Sequence, residues 1–198
     1  EKALKRIARY LKATKDRGMI IKPTSDLTME LYVDADFAGL WGAESPDDST
    51  SVKSRTGFVI TLGGTPVVWS SKLQTEIALS TCESEYIALS TAMRTLLPLR
   101  VLFQSLATTM KVDREEVIKV CAVWEDNNAA LKLATAMFPN MTPRTKHIAI
   151  KYHWFKSHMK PGDIEPRAID TTIQKADIFT KGLVKKEFER KRFMIMGW

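Results

Sequence analysis

The stretch Leu31-Tyr32-Val33-Asp34-Ala35-Asp36-Phe37-Ala38-Gly39 constrains this chain more than any other. Side chains on a strand alternate between faces, so Leu31, Val33, Ala35 and Phe37 share one face and Tyr32, Asp34 and Asp36 the other. A strand this apolar belongs in a sheet, and a carboxylate buried there is costly without a compensating charge. Two readings stand. An edge strand keeps its polar face in water. Alternatively, the carboxylates hold a hard cation such as Mg²⁺, which prefers oxygen ligands.

The chain has 198 residues, 44% of them hydrophobic, enough for one sizeable core. No signal peptide is visible, and no apolar run reads as long enough to span a membrane. Cys82 and Cys121 sit inside apolar patterns and read as reduced, buried small hydrophobes. The formal net charge of +7 favours a polyanionic partner. Glu1 falls within a helical pattern and is not methionine, so the chain reads as cut from something longer.

In chain order, residues 1–15 form a basic helix whose apolar stripe is Leu4, Ile7, Ala8 and Leu11. Residues 19–22 suggest a short strand. After the Asp strand comes a polar loop, 41–55. Residues 56–62 and 65–71 then alternate around Gly63-Gly64 as a hairpin, which makes the first three strands an antiparallel meander. Ser80-Thr81-Cys82-Glu83 fits a capping box. The helix it opens carries Glu85, Ala88, Leu89, Ala92, Met93 and Leu96 on one face, and Pro98 should bend or end it near Leu97. Residues 111–116 read as a charged linker. Val117 to Trp124 is a buried strand that runs into Glu125-Asp126-Asn127-Asn128, and 128–136 is a helix. Residues 139–143 read as loop, 144–160 as a basic helix and 164–169 as a last strand. Thr171-Thr172-Ile173-Gln174 fits a second capping box, whose helix carries Asp177 in its first turns and closes at Gly182. The charge run 185–192 reads as the solvated face of a further helix.

Asp34 is thus placed mid-strand, Glu85 early in a helix, Asp126 at a strand end and Asp177 early in the helix that follows the second capping box. Each alone is weak, because an acid at a helix start commonly complements the dipole. Together, in a chain without a cysteine metal motif and with three histidines, they suggest a carboxylate-only site for two Mg²⁺ ions. Asp36 and Glu83 rank behind them. Asp36 shares the face of Asp34, and Glu83 is explained by the capping box.

The ordered motifs resemble a known family. Tyr32-Val33-Asp34-Ala35-Asp36-Phe37-Ala38-Gly39 is similar to the first motif of the ribonuclease H domain of copia-type retrotransposon Pol polyproteins. Lys53-Ser54-Arg55-Thr56-Gly57, Trp69-Ser70-Ser71-Lys72, the run Ala78 to Tyr86, Glu125-Asp126-Asn127-Asn128, Arg144-Thr145-Lys146-His147-Ile148 and Gln174 to Lys181 follow in family order. The resemblance covers residues 30–183, and residues 1–23 resemble the tether from the reverse transcriptase.

This resemblance implies an α/β, ribonuclease H-like fold: a five-stranded mixed sheet, its first three strands antiparallel, flanked by helices. It divides the chain into a basic tether (1–25), a catalytic domain (26–183) and a C-terminal helical tail (184–198). It implies Asp34, Glu85, Asp126 and Asp177 as catalytic, metal-binding carboxylates for two Mg²⁺ ions, with Mn²⁺ as a possible substitute. The implied reaction is hydrolysis of the RNA strand of an RNA·DNA hybrid during reverse transcription. The implied partners are that hybrid and the reverse transcriptase domain, with no membrane, inside a cytoplasmic virus-like particle.

Ser80, Thr81, Asn127 and Asn128 adjoin the carboxylates as candidates for reading the hybrid's 2′-hydroxyls, against helix capping as the competing role. Lys72, Arg144 and Lys146 are candidate phosphate contacts, as are Trp69 and Ser71, with core packing the competing role for Trp69. The sequence departs from many cellular relatives in having no histidine at 169–176, upstream of Asp177. Asn128 stands where copia-type sequences often have glutamine. A different class of function, an inert structural or nucleic-acid-binding module of the polyprotein, remains the alternative.

Overall fold

The computed structural model describes residues 1–43, 47–112, 120–135 and 153–198. Its elements are α1 (Lys2–Ala13), β1 (Met29–Asp36), β2 (Arg55–Leu62), β3 (Thr65–Leu73), α2 (Thr81–Thr109), β4 (Cys121–Glu125), α3 (Asn128–Thr135), β5 (Ile164–Ala168) and α4 (Lys185–Met196), with short 3-10 turns at His153–His158, Thr171–Ile173 and Lys175–Phe179. The five strands form one sheet in the order β3-β2-β1-β4-β5. β1 pairs antiparallel with β2, and β2 with β3. β4 runs parallel to β1, and β5 to β4. This is the mixed sheet expected from the sequence.

β1 is central, so the edge-strand reading of its carboxylates falls. Met29, Leu31 and Val33 are fully buried on the face that meets α2, where Tyr86, Ala88, Leu89, Ala92, Met93 and Leu96 complete the core. Each large aliphatic side chain there contributes roughly 2 kcal/mol of transfer free energy. On the other face, Tyr32, Val59 and Ala176 form a second cluster, with Trp124, Ile169 and Phe179 against it. Phe37 lies beyond the strand end and is exposed.

α2 continues eleven residues past Pro98, which overturns the expected break. Pro98 deprives the carbonyl one turn earlier of its donor. That carbonyl belongs to Arg94, which is exposed like Pro98 itself, so water can satisfy it. By length and composition α2 could also cross a membrane, contrary to the sequence reading. In the fold it is the core helix, and its face toward the sheet is the one just described.

The capping box at Ser80 is half realised. The Glu83 amide donates to Ser80 Oγ, while the Glu83 carboxylate takes the Leu79 amide. The second predicted capping box does not form. Residues 171–179 make two 3-10 turns, capped by Asp170 and Gln174, in place of an α-helix ending at Gly182. Gln174 explains the break. It is fully buried, and its amide nitrogen donates to the carbonyls of Val33 at 2.9 Å and Trp124 at 3.4 Å. Those anchors tie the segment to the sheet and leave no room for a continuous helix.

Residues 19–22 form no strand. Within the predicted 144–160 helix, the described part is a 3-10 turn at His153–His158. The expected linker after Val112, the start of the strand at 117 and the loop at 139–143 lie outside the described residues, as do Arg144, Lys146 and His147.

Candidate metal centre

The β1–β4 ladder ends at Tyr32↔Trp124, two residues before Asp34 on one strand and two before Asp126 on the other. The backbones part there, and the opening collects acidic side chains. Asp34 comes from β1, Glu85 from the first turns of α2, and Asp126 from the residue after β4. One carboxylate oxygen from each lies within 4.8 Å of the other two. Glu85 and Asp126 line one open cleft with Asp36, Thr81, Asn127 and Lys181, and Asp34 lies buried beside them.

Electrostatics show a site short of positive charge. Asp34 is fully buried and Glu85 nearly so. Burial first, then the charges of Glu125, Asp34 and Asp126, push Glu85 up to about 11. Asp34 is raised by burial to about 6, against the lowering pull of Lys181 and the Thr180 hydroxyl. Glu125, also buried, is raised by burial to about 8. Oε2 of Glu85 and Oε2 of Glu125 are buried with no hydrogen-bond partner among the described residues. Buried polar atoms are rarely left so. An all-oxygen donor set with orphaned, buried carboxylate oxygens fits a hard divalent cation. The sequence motif contains Glu125 but assigns it no role, and nothing in a strand-end glutamate distinguishes it until the fold buries it.

Asp177 stands outside the trio. Its Oδ1 accepts from Lys181 Nζ at 2.7 Å, and its Oδ2 from Lys191 Nζ at 2.8 Å. Lys181 also reaches Asp34 Oδ1 at 2.9 Å, so its ammonium bridges Asp34 and Asp177. Against burial, which works to lower it, these two carboxylates raise the Lys181 pKa. Lys191 is a correction to the solvated-face reading of 185–192. It is almost wholly buried and donates as well to the carbonyls of Thr171 at 2.7 Å and Gln174 at 2.6 Å. No spacing rule reveals this, because the lysine and its partners are on separate elements.

Gly57 is the backbone condition for that arrangement. It lies opposite Asp34 in the β1–β2 register. A Cβ at this position would meet Thr180 Cγ2 at 2.5 Å and Phe179 Cβ at 2.8 Å. Only glycine lets the 179–181 segment approach closely enough for Thr180 to donate to Asp34 Oδ2 and Lys181 to Oδ1.

Of the other candidates, Asp36 takes the Arg55 amide, and Ser80 caps α2. Asn127 Oδ1 accepts from the amides of Ala129 and Ala130 and so caps α3. Thr81 and Asn128 are exposed at the starts of their helices, and Lys72 is exposed on β3. Trp69 is half-exposed, not core. Of the three histidines in the chain, His158 packs on Trp154 and faces the cavity beside Leu97 and Pro98, about 20 Å along α2 from Glu85 at 1.5 Å per residue.

The sheet order, the helix on its face and the acids at the strand opening define a ribonuclease H-like domain. LC11-RNase H1, solved in complex with an RNA/DNA hybrid, superposes with a TM-score of 0.50 at 18% identity, over 77% of this chain and 93% of that one. In sequence the chain is 33% identical over 187 residues, 94% of its length, to the retrovirus-related Pol polyprotein from transposon TNT 1-94 of Nicotiana tabacum. It is 32% identical over 187 residues to that from transposon RE1 of Arabidopsis thaliana. The chain spans 13% and 12% of those polyproteins. No protein-family model matches it. The sequence relatives are thus retrotransposon Pol polyproteins and the fold is that of ribonuclease H, which agrees with the copia-type resemblance.

Proposed function

We propose that this domain is a divalent-metal-dependent endonuclease that hydrolyses the RNA strand of RNA·DNA hybrids. The observation that carries the proposal is the convergence of Asp34, Glu85 and Asp126 from three elements, one oxygen of each within 4.8 Å of the others. Asp34, Glu85 and Asp126 would hold one Mg²⁺ ion, and Asp34 with Asp177 a second. Mn²⁺ is the natural substitute, having similar ligand preferences. When bound, such ions acidify the attacking water and neutralise the departing oxyanion.

The protein's own part is to keep the acids close together. Burial and the neighbouring acids favour the protonated form of Glu85, and a bound cation would favour the carboxylate. Thr180 and Lys181 orient Asp34, and Lys191 orients Asp177. Thr81 and Asn127 line the cleft and, with the neighbouring Asn128, would read the hybrid's 2′-hydroxyls, and Lys72, Arg144 and Lys146 would supply cations for its phosphates. The reverse transcriptase segment of the same polyprotein is the proposed partner, the generation of hybrids during reverse transcription the proposed setting, and a cytoplasmic particle the proposed location.

The test is an end-labelled RNA·DNA hybrid incubated with Mg²⁺, with EDTA, and with the Asp126→Asn variant. Metal-dependent cutting confined to the RNA strand and lost in the variant is the expected result. Hybrid binding without any cutting, even with the polymerase segment added, would return the inert-module reading.

A further inference from the structure

We propose that Lys181 is a resident cation that the site must surrender: its ammonium bridges Asp34 and Asp177 where one of two divalent ions would sit. The first ion then binds at Asp34, Glu85 and Asp126, and the second binds only as Lys181 swings out. This deepens the two-ion reading above and rests on it.

Asp34 belongs to both halves of the site. It shares the trio with Glu85 and Asp126, and its Oδ1 takes Lys181 Nζ at 2.9 Å while the same nitrogen lies 2.7 Å from Asp177 Oδ1. A cation placed between these two carboxylates meets an ammonium already there. The two lysines on Asp177 differ in their freedom to leave. The Lys191 side chain is 2% exposed and makes three short contacts, to Asp177 and to two backbone carbonyls. The Lys181 side chain is 38% exposed, bonds only to the two carboxylates among the described residues, and lines the open cleft. A lysine stem is flexible, and its head is readily hydrated.

Departure of Lys181 does not dismantle the turn around it. The Thr180 hydroxyl still donates to Asp34, and the amides of Thr180 and Lys181 still donate to the Asp177 carbonyl. The energy balance favours exchange at sufficient ion concentration. With Lys191 counted, the two carboxylates and their two ammoniums sum to zero, and a divalent ion in place of Lys181 leaves +1, so mass action and not charge balance drives the exchange. The consequence is ordered, unequal metal binding, with Lys181 as a brake on the second ion.

The test is calorimetric titration of the nucleic-acid-free protein with Mn²⁺, with bound ions counted by electron paramagnetic resonance. The proteins are wild type, Lys181→Met, Asp177→Asn, the double variant and Glu85→Gln, each checked for folding by circular dichroism. Lys181→Gln repeats the comparison if the methionine variant does not fold. Lys181→Met is expected to tighten the second ion by at least about tenfold and the first by less than about threefold, the difference between a direct contact and a screened one. That gain should vanish when Asp177→Asn is added. Equal tightening of both ions, or no gain, overturns the proposal. If wild type binds one ion that Glu85→Gln abolishes, yet Lys181→Met gains nothing, the proposal alone falls. If wild type binds no ion, the two-ion reading falls with it.

Discussion

The two halves of the acidic site solve opposite problems. Around Glu85, the carboxylates of Asp34, Asp126 and Glu125 crowd together; Glu85 and Glu125 each keep an orphaned oxygen, and burial raises the pKa values of Glu85, Glu125 and Asp34. Around Asp177, a single carboxylate is clasped by two lysines, one of them among the most buried side chains in the protein. The first half is incomplete until positive charge arrives. The second carries its own. A buried carboxylate therefore does not identify a ligand by itself. What distinguishes the halves is whether the fold has already supplied the counter-charge.

That contrast can be broken experimentally, most decisively at Glu85. Replacing Glu85 with Gln removes charge from the incomplete half, and RNA-strand cleavage should fall by about a thousandfold or more, the scale of several kcal/mol of metal-borne charge stabilisation. Because the neutral amide suits a site that already raises Glu85's pKa, melting of the metal-free protein should change little or rise. A cleavage rate within tenfold of wild type would remove Glu85 from the chemistry.

The largest stability loss belongs to the other half. Lys191→Ala leaves Asp177 buried with one counter-charge fewer and two carbonyls bare, and should cost about 3–5 kcal/mol in urea unfolding. Lys191→Met fills the volume but not the charge and should recover only part of it. A loss below about 1 kcal/mol would mean that the clasp does not hold this part of the fold together.

The pH dependence of stability should separate the halves next. Asp34 (raised to about 6), Glu125 (about 8) and Glu85 (about 11) all have folded pKa values above their unfolded ones. The folded state thus binds more protons than the unfolded state. Their contribution is fully present below about pH 4, the unfolded carboxyl range, and is lost as pH rises through those folded values. In EDTA, Tm should fall between pH 5 and pH 8, and Glu85→Gln should flatten the slope. Mg²⁺ should narrow the loss, because it binds the deprotonated acids. A metal-free Tm that climbs over this range would contradict a charge-deficient first half.

The smallest effect concerns Asn127. As the cap of α3, its replacement by Ala should cost about 1 kcal/mol, and Asn127→Asp, another capping residue, should restore it. If KM for the hybrid rises in both variants while stability is recovered in the second, the side chain also reads substrate.

Much of this architecture is legible in the order of the residues. Period-two alternation marks β1 and the β2–β3 hairpin, and the i, i+3, i+4 stripe from Glu85 to Leu96 marks the core helix with its carboxylate on the buried face. Trp124-Glu125-Asp126 places an acid just past a strand end. Local rules fail where a tertiary contact overrides them. Pro98 reads as a breaker because propensity knows nothing of its solvent-facing position, which lets water satisfy the freed carbonyl. Residues 171–181 carry helical signals, but Gln174 spends its amide on Val33 and Trp124, and those anchors hold the chain in 3-10 turns.

The sequence by itself determined the strands, the core helix and the four acids, because side-chain periodicity and capping act over a few residues and are written in order along the chain. Only the tertiary structure decided which acid would be neutralised and which left wanting. Lys191 sits in a charge run like any solvated face until α4 lays it against Asp177, and Lys181 reaches Asp34 across 147 residues of chain only because Gly57 offers no Cβ. Charge pairing acts through space, over a few ångströms and in low dielectric, and no spacing along the chain encodes it.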